Sequence, residues 1–306
     1  MSPLGLLAVV DAQTIANAVG LGAVYALMAV GIGLVFGVLR LVNFAYGQLV
    51  MAGAYTLAFT SGWPVAASIV ACFVVVVALS LAMERAVFLP LRHQSPAVML
   101  VTTFALAFML QAIALFIDVR DGTIGEPAGS LAGLREAVTV AGIDVREITI
   151  VAVLVAAVAL GLLALLLART TIGLHMRAAA ADFPTARLLG VRANRVIGFA
   201  VLLSGLLAAT VAVILTVQSP LVRPDFALRE TIVVLVGVVV GGIDRLWTAT
   251  LGGFTIGFAT GVINGALPTD KTVYLPSAVF ALVILVLLLR PAGLFAWGRA
   301  AAAERV

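Results

Sequence analysis

Six uninterrupted apolar runs, at residues 15–38, 65–89, 97–117, 148–168, 197–217 and 273–289, each reach or approach the roughly 20 residues that a helix needs to cross a hydrocarbon core. A water-soluble core cannot absorb this much apolar chain. Of the 306 residues 63% are hydrophobic and only 10% charged, far from the balance of a soluble domain. Inside a bilayer every backbone polar group must be paired within the protein, which leaves helices and closed barrels. The runs are continuous and lack the period-two alternation of a barrel strand, so they predict helices. Two further regions are less regular: 42–59 carries Asn43, Tyr46 and Gln48, and 232–267 is cut by "GGIDRLW" into two short halves. The expected fold is an all-α polytopic transmembrane helical bundle, a single domain over 1–306 with about eight or nine membrane-spanning helices.

Basic loops stay on the cytoplasmic side, and this sets the orientation. Segment 169–195 holds Arg169, Arg177, Arg187, Arg192 and Arg195 against Asp182 alone, whereas 118–147 holds three arginines against six acids. The first, with the surrounding 169–196, is expected to be a cytoplasmic loop and the second, 118–147, an external loop. Arg85, Arg92, Arg290, Arg299 and Arg305 then fall inside and the mixed segment 218–230 outside. Nine spans would put the N-terminus outside. The chain's start lacks a basic region and a cleavage pattern, so no removable signal peptide is expected. Cys72, the sole cysteine, reads as a small apolar filler in the third span.

Within the cytoplasmic loop, Asp182 stands where a helix N-cap would, Pro184 falls in the first turn, and Gly190 follows as a C-terminal cap. The pattern predicts a helix of about two turns over 183–189. So short a helix is unstable alone in water, and its Phe183, Leu188 and Leu189 need a surface. That surface is either the chain's own body and the lipid headgroups, or a cytoplasmic partner.

What the spans lack narrows the chemistry. Coupling to protons or sodium generally uses intramembrane acids or broken helices, yet the acids here fall in loops or at span ends, as Glu84 does beside Arg85. Lys271-Thr272 is preceded by Pro268, Thr269 and Asp270 instead of a glycine loop, so the chain holds no nucleotide by that motif. His93 and His175 lie in basic segments away from any partner for catalysis, and neither a catalytic set nor a metal-ligand set is expected. Energy for active transport would have to come from another polypeptide.

The spans do carry neutral polar groups: Asn17, Asn43, Tyr46, Gln48, Thr102, Thr103, Gln111, Ser204 and Asn264. Singly, each is explained by an interhelical hydrogen bond. Asn43, Tyr46 and Gln48, with Gly47 and Gly53, are closer together than that explanation needs, and the alternative is a close-packed or irregular helix lining a polar path. Gly241, Gly242, Gly252, Gly253, Gly257 and Gly261 form small-xxx-small faces that predict tight helix packing. Glycine-rich regions recur in both halves without aligning as a repeat.

Three segments, in order, carry a family likeness: "LVNFAYGQLVMAGAY" (41–55), "TTIGLHMRAAAADFPTARLLGV" (170–191) and "RPAGLF" (290–295). Together with "ANAVGLGAVYALMAVGIGLVFGV" and "ERAVFLPLR" they resemble the permease subunits of branched-chain amino acid ABC transporters, the LivH type, over nearly the whole chain. The resemblance implies a pore subunit in a bacterial inner membrane, paired with a second related permease or itself, two cytoplasmic ATPase subunits and a periplasmic or extracellular solute-binding protein. It implies no enzyme activity and no cofactor of its own, with ATP bound by the partners; lipid surrounds it and nucleic acid plays no part. Asn43, Phe44, Ala45, Gly47, Met51 and Gly53 match the first motif, while Tyr46 stands where histidine is frequent. Arg177, Ala178, Ala180, Asp182, Leu188, Leu189 and Gly190 match the segment that importers insert into the ATPase. "GGIDRLWTATLGG" (241–253) departs from the pattern at Asp244, Arg245, Trp247 and Thr248. Relatives handling urea, amides or aromatic acids leave those substrates open, and a stand-alone channel or facilitator is the reading from another class.

Overall fold

The computed structural model describes residues 11–40, 42–91, 94–121, 125–127, 137–140, 143–219, 221–242 and 245–290. Arg92, His93, Asp244, Arg299, Arg305 and the "PAGLF" part of the C-terminal motif lie outside these residues. Helices α1 (Ala12–Leu39), α2 (Tyr46–Phe59), α3 (Val65–Leu91) and α4 (Pro96–Asp121) form the first half. Short strands β1 (Glu126–Pro127), β2 (Ala137–Val140) and β3 (Ile143–Arg146) follow, then α5 (Glu147–Arg169), α6 (Thr171–Ala181) and α7 (Phe183–Leu188). The second half comprises α8 (Ala193–Gln218), β4 (Leu221–Val222), α9 (Leu228–Gly241), α10 (Leu246–Ala266), a 3-10 turn (Thr269–Tyr274) and α11 (Leu275–Leu289).

Helix α1 is the axis of the bundle. Most of its apolar length is buried inside the protein, whereas α3, α4, α5 and α11 turn most of theirs outward, as helices bathed in lipid do. The reason α1 can be enclosed is the spacing of small residues on α10. A Cβ placed at Gly257 would lie 2.8 Å from the Cα of Gly22 and 2.9 Å from the Leu21 carbonyl oxygen; one at Gly261 would lie 2.5 Å from the Cα of Ala18. Gly253 meets the Tyr25 carbonyl in the same way, and Gly265 meets Thr14. Four glycines at intervals of four residues thus lay one helix on the other along roughly three turns. Composition points to close packing, but only the structure shows that the other half of the seam is α1.

Side-chain ties fix which helix ends lie together. The Arg40 guanidinium donates to the Ala180 carbonyl (2.6 Å), joining the end of α1 to the end of α6. The Tyr55 hydroxyl donates to both carboxylate oxygens of Asp118 (2.9 Å each), joining the end of α2 to that of α4. Antiparallel pairing of Glu126 with Val222 and Pro127 with Leu221 brings the exits of α4 and α8 together, and at the same end the β2–β3 hairpin meets α1 and α5. The chain therefore has an arginine-rich end and a hairpin end, between which it runs back and forth.

Among the described residues seven helices are long and apolar enough to cross a membrane, fewer than the expected eight or nine. The difference is α2 and α9, of 14 residues each: at 1.5 Å per residue they extend roughly 21 Å, short of a core of about 30 Å. Two boundaries also move. Asp118, expected in the external loop, belongs to the last turns of α4, where it is 2% exposed. Glu84, expected at a span end, sits inside α3 at 7% exposure, where a π-helical turn over Glu84–Phe88 widens the helix.

The short helices expose a repeat that the residues conceal. The series α1, α2, α3, α4 runs long, short, long, long, and so does α8, α9, α10, α11 once the 15-residue α11 is taken with the 3-10 turn that leads into it to make a span of 20 residues. Helix α1 ends at the arginine-rich end and α8 begins there, so the halves are inverted. Their packing corresponds: α10 lies on α1 as α3 lies on α8, and α2 touches α8 as α9 touches α1. Gly205 of α8 admits Ser80 of α3, and Gly53 of α2 admits Ala212 and Val76. Spacing of small residues, with no shared motif, carries the symmetry.

Gly257→Val should cost about 1–3 kcal/mol by overpacking the seam and lower the thermal unfolding midpoint of the detergent-purified protein. Gly161→Val on α5, where nothing lies within 4 Å of the new Cβ, should leave the midpoint in place.

Candidate functional site

The arginine-rich end is built on a reversal. Helix α5 ends at Arg169, and the Thr170 hydroxyl accepts from the Gly173 N–H (3.0 Å) to cap α6. A Cβ at Gly173 would lie 2.5 Å from the Cα of Leu167, so α6 leaves hard against α5 because residue 173 has no side chain. The expected loop 169–196 is therefore largely helical, with α6 placing His175 and Arg177 on an exposed surface. The alanine run of α6 favours helix, a signal obscured by the arginines of the segment around it.

Asp182 closes one helix and opens the next. Its N–H donates to the Ala178 carbonyl (3.1 Å), ending α6, while its carboxylate accepts from the Thr185 N–H (3.2 Å) and the Thr185 hydroxyl, capping α7. These bonds hold the Asp182 carboxyl below its usual pKa. Helix α7 spans Phe183–Leu188, with Pro184 in its first turn as the pattern predicts. Gly190 follows at φ +89°, and the Val191 N–H donates to the Ala186 carbonyl (3.0 Å), the paired geometry of a glycine-terminated helix.

The chain's own body covers one side of this short helix and leaves the other bare. Ala186 is buried and Phe183 packs partly against the chain's own core. Leu188 is 87% and Leu189 81% exposed, beside the exposed Arg187. Each leucine left this bare forgoes about 1.5–3 kcal/mol of burial, so the capped helix ends in uncovered apolar surface.

Between this segment and the bundle lies a cavity of ~450 Å³. Its floor comes from α1 (Gly33, Gly37) and its rim from Arg177, Arg245 and Trp247. The departure at 241–253 thus lies beside α6. Thr248 stitches that turn by donating to the Gly242 carbonyl (2.6 Å) and sharing with Arg245 O (2.9 Å), and Trp247 is 71% exposed. Arg40, which the sequence reading passed over, is the tie between α1 and α6, and among the described residues it alone of the non-glycines has positive φ (56°). A lone arginine ending a long apolar run was its signal.

The cluster around Asn43 is internal to the chain. Asn43 is 3% exposed, and its side-chain oxygen accepts from the Ala45 N–H (3.0 Å), shaping the entry to α2. Tyr46 lies fully buried over Gly31 of α1, and Gly47 admits Thr231 and the Ala227 carbonyl of α9. Gln48 is 1% exposed. Among the described residues the Tyr46 hydroxyl and the Gln48 side-chain oxygen have no hydrogen-bond partner although both are buried. Leaving such an atom unpaired costs about 1–3 kcal/mol.

The family described as the permease component of branched-chain amino acid transport systems matches residues 14–289. The high-affinity branched-chain amino acid transport system permease protein BraD of Pseudomonas aeruginosa is 29% identical over 296 residues, covering 92% of this chain and 94% of that one. The permease protein LivH of the corresponding system of Escherichia coli K12 is 27% identical over 299 residues, with the same two coverages. No solved structure matches the chain.

Asp182→Ala should raise hydrogen exchange across 183–190, while Asp182→Asn, which keeps an acceptor, should restore most of the protection. Because the folded carboxyl titrates below its unfolded value of about 3.9, the cap is in force above that pH. It is lost as pH falls through the lowered value, so protection of the Thr185 amide, corrected for intrinsic exchange, should disappear at a pH below the usual carboxylate range.

Proposed function

This chain belongs to the family of permease components of branched-chain amino acid transport systems, and on that premise we propose that it forms half of the pore of an ATP-driven amino acid importer in a bacterial inner membrane. The family is a transport component and not an enzyme, and its members work in ABC importers with ATPase and solute-binding partners. The chain is a multi-pass membrane protein. In the arrangement proposed, a second permease or a second copy completes the pore, and two cytoplasmic ATPases bind the ATP. A binding protein delivers a branched-chain or related amino acid at the hairpin end. The relatives' names supply the substrate class.

The observation that carries the coupling role is the bare Leu188–Leu189 tip on a helix capped at both ends. The arginine-rich end faces the cytoplasm by the positive-inside rule, so the tip enters the aqueous phase where an ATPase would meet it. Arg177, Ala178, Asp182, Phe183 and Gly190 set its direction. When the ATPases close, the tip is carried with them and α6 moves α1 through Arg40. Asn43, Tyr46, Gly47 and Gln48 lie on that route, and the unpartnered Tyr46 and Gln48 atoms are the groups that would gain partners as a polar path opens beside α1 and α2.

Vesicles carrying the complete complex should accumulate leucine only when ATP is supplied on the ATPase side; accumulation without ATP would turn the reading to a facilitator. Leu188→Ser with Leu189→Ser, or Arg177→Glu, should reduce ATP-driven uptake by more than about tenfold, a loss of 1.4 kcal/mol or more at the interface, with membrane insertion unchanged. Uptake at wild-type rates in both would remove the tip from the mechanism.

A further inference from the structure

The hairpin end holds a cavity of ~540 Å³ between one face of α4 and the turn after β4, within the volume range of small-molecule sites. On the α4 side Phe108, Ala112 and Leu115 recur at helical spacing and form an apolar wall. Phe108 and Leu115 are more than half exposed, so no other described residue covers this wall. Across from it stand Arg223 and Asp225, both exposed and both lining the cavity.

The charged side of the cavity is built. Asp118, buried at the base, accepts from the Tyr55 hydroxyl (2.9 Å) and from the Gly125 N–H (3.2 Å). Gly125 has φ +88°, and a Cβ there would meet the Val222 carbonyl at 2.7 Å and the Arg223 side chain at 3.1 Å. The β1–β4 pairing holds this strand against residue 222. The turn itself is closed by the Phe226 N–H donating to the Arg223 carbonyl (2.9 Å). Asp118 thus positions the backbone from which Arg223 reaches into the cavity.

One cation, one exposed carboxylate and a hydrocarbon wall within a single cavity match an aliphatic α-amino acid, which presents a carboxylate, an ammonium and a branched hydrocarbon. A purely apolar solute would leave Arg223 and Asp225 unmatched at the membrane boundary, and a lone cation or anion would face one like charge. We propose that this cavity is an entry subsite for a zwitterionic aliphatic amino acid, with Arg223 holding the carboxylate, Asp225 the ammonium, and the Phe108–Leu115 face the side chain. The proposal rests on the transport reading above and assigns its substrate a first resting place on this chain. Asp118 is a positioning residue, since its oxygens already accept from Tyr55 and Gly125. The opening of the cavity suits a site that is filled and emptied during transport.

The test uses the full chain in nanodiscs with its ATPase partners, carrying Cys72→Ala and a reporter thiol at Val119→Cys, which lines the cavity. Leucine at twice its dissociation constant should slow maleimide labelling about threefold, as the factor 1 + [L]/Kd requires. At the same concentration 4-methylpentanoate and 3-methylbutylamine, each lacking one charge, should give little protection, and Arg223→Gln or Asp225→Asn should abolish protection by leucine. Labelling without leucine at the parent rate shows that each variant is folded. The proposal is overturned if leucine fails to protect the parent protein, if the singly charged analogues protect as well as leucine, or if both variants keep full protection. ATP-dependent uptake by the wild-type complex is measured separately. Uptake without protection rejects the subsite alone, whereas protection without uptake rejects the importer reading and keeps the site.

Discussion

Within a bilayer the hydrophobic effect cannot press one apolar helix onto another, because the lipid tails are as apolar as leucine. The approach of α10 to α1 has to come from close dispersion contact and backbone Cα–H···O interactions, which fall away within a fraction of an ångström. That is why Gly253, Gly257, Gly261 and Gly265 occur at intervals of four, and why their counterparts on α1 are Ala18, Gly22 and the backbone of Tyr25. With that seam closed, α1 is enclosed, and the short helices α2 and α9 are held beside it although neither would reach across a membrane alone.

A buried α1 ties the two ends of the molecule together. At the arginine-rich end it finishes in the left-handed conformation of Arg40, whose side chain grips the last turn of α6. Midway, Gly31 supports the Tyr46 ring, and its carbonyl accepts from Ser204 of α8 (2.7 Å). Tyr46 leads along α2 to Tyr55 and Asp118 at the hairpin end. The cavity beside Arg177 and the cavity beside Arg223 are thus connected through packed, hydrogen-bonded elements and not through loops.

Much of this was legible from residue order. Continuous apolar runs placed six of the seven long helices found among the described residues to within a few residues, because in lipid the length requirement leaves little freedom; α10, expected as a short half of 232–267, is the exception. Asp182, Pro184 and Gly190 announced α7, since capping is a local matter that three residues decide. What stayed hidden depended on distant partners. The glycine stripe of α10 could not name α1 as its mate, Asp118 could not show that Tyr55 awaited it, and Arg40 looked like one more basic residue at a span end. The inverted repeat was invisible for a related reason: what it conserves is helix length and the placement of small side chains, which many residue combinations satisfy. The unpartnered oxygen of Gln48 likewise became a feature only once its surroundings were known.

The joint at Asp182 leaves no slack. One residue terminates α6 and initiates α7, so no free peptide unit lies between them to absorb a push. Eleven residues of α6 and six of α7 extend roughly 16 and 9 Å, making a bent lever whose short arm ends in bare leucines and whose long arm is gripped near its elbow by Arg40. A lever of this shape converts sideways travel of its tip into rotation about the elbow. The axial helix would then turn more than it would slide, and a helix that rotates exchanges the face it shows to its neighbours without lengthening or breaking any of its own hydrogen bonds.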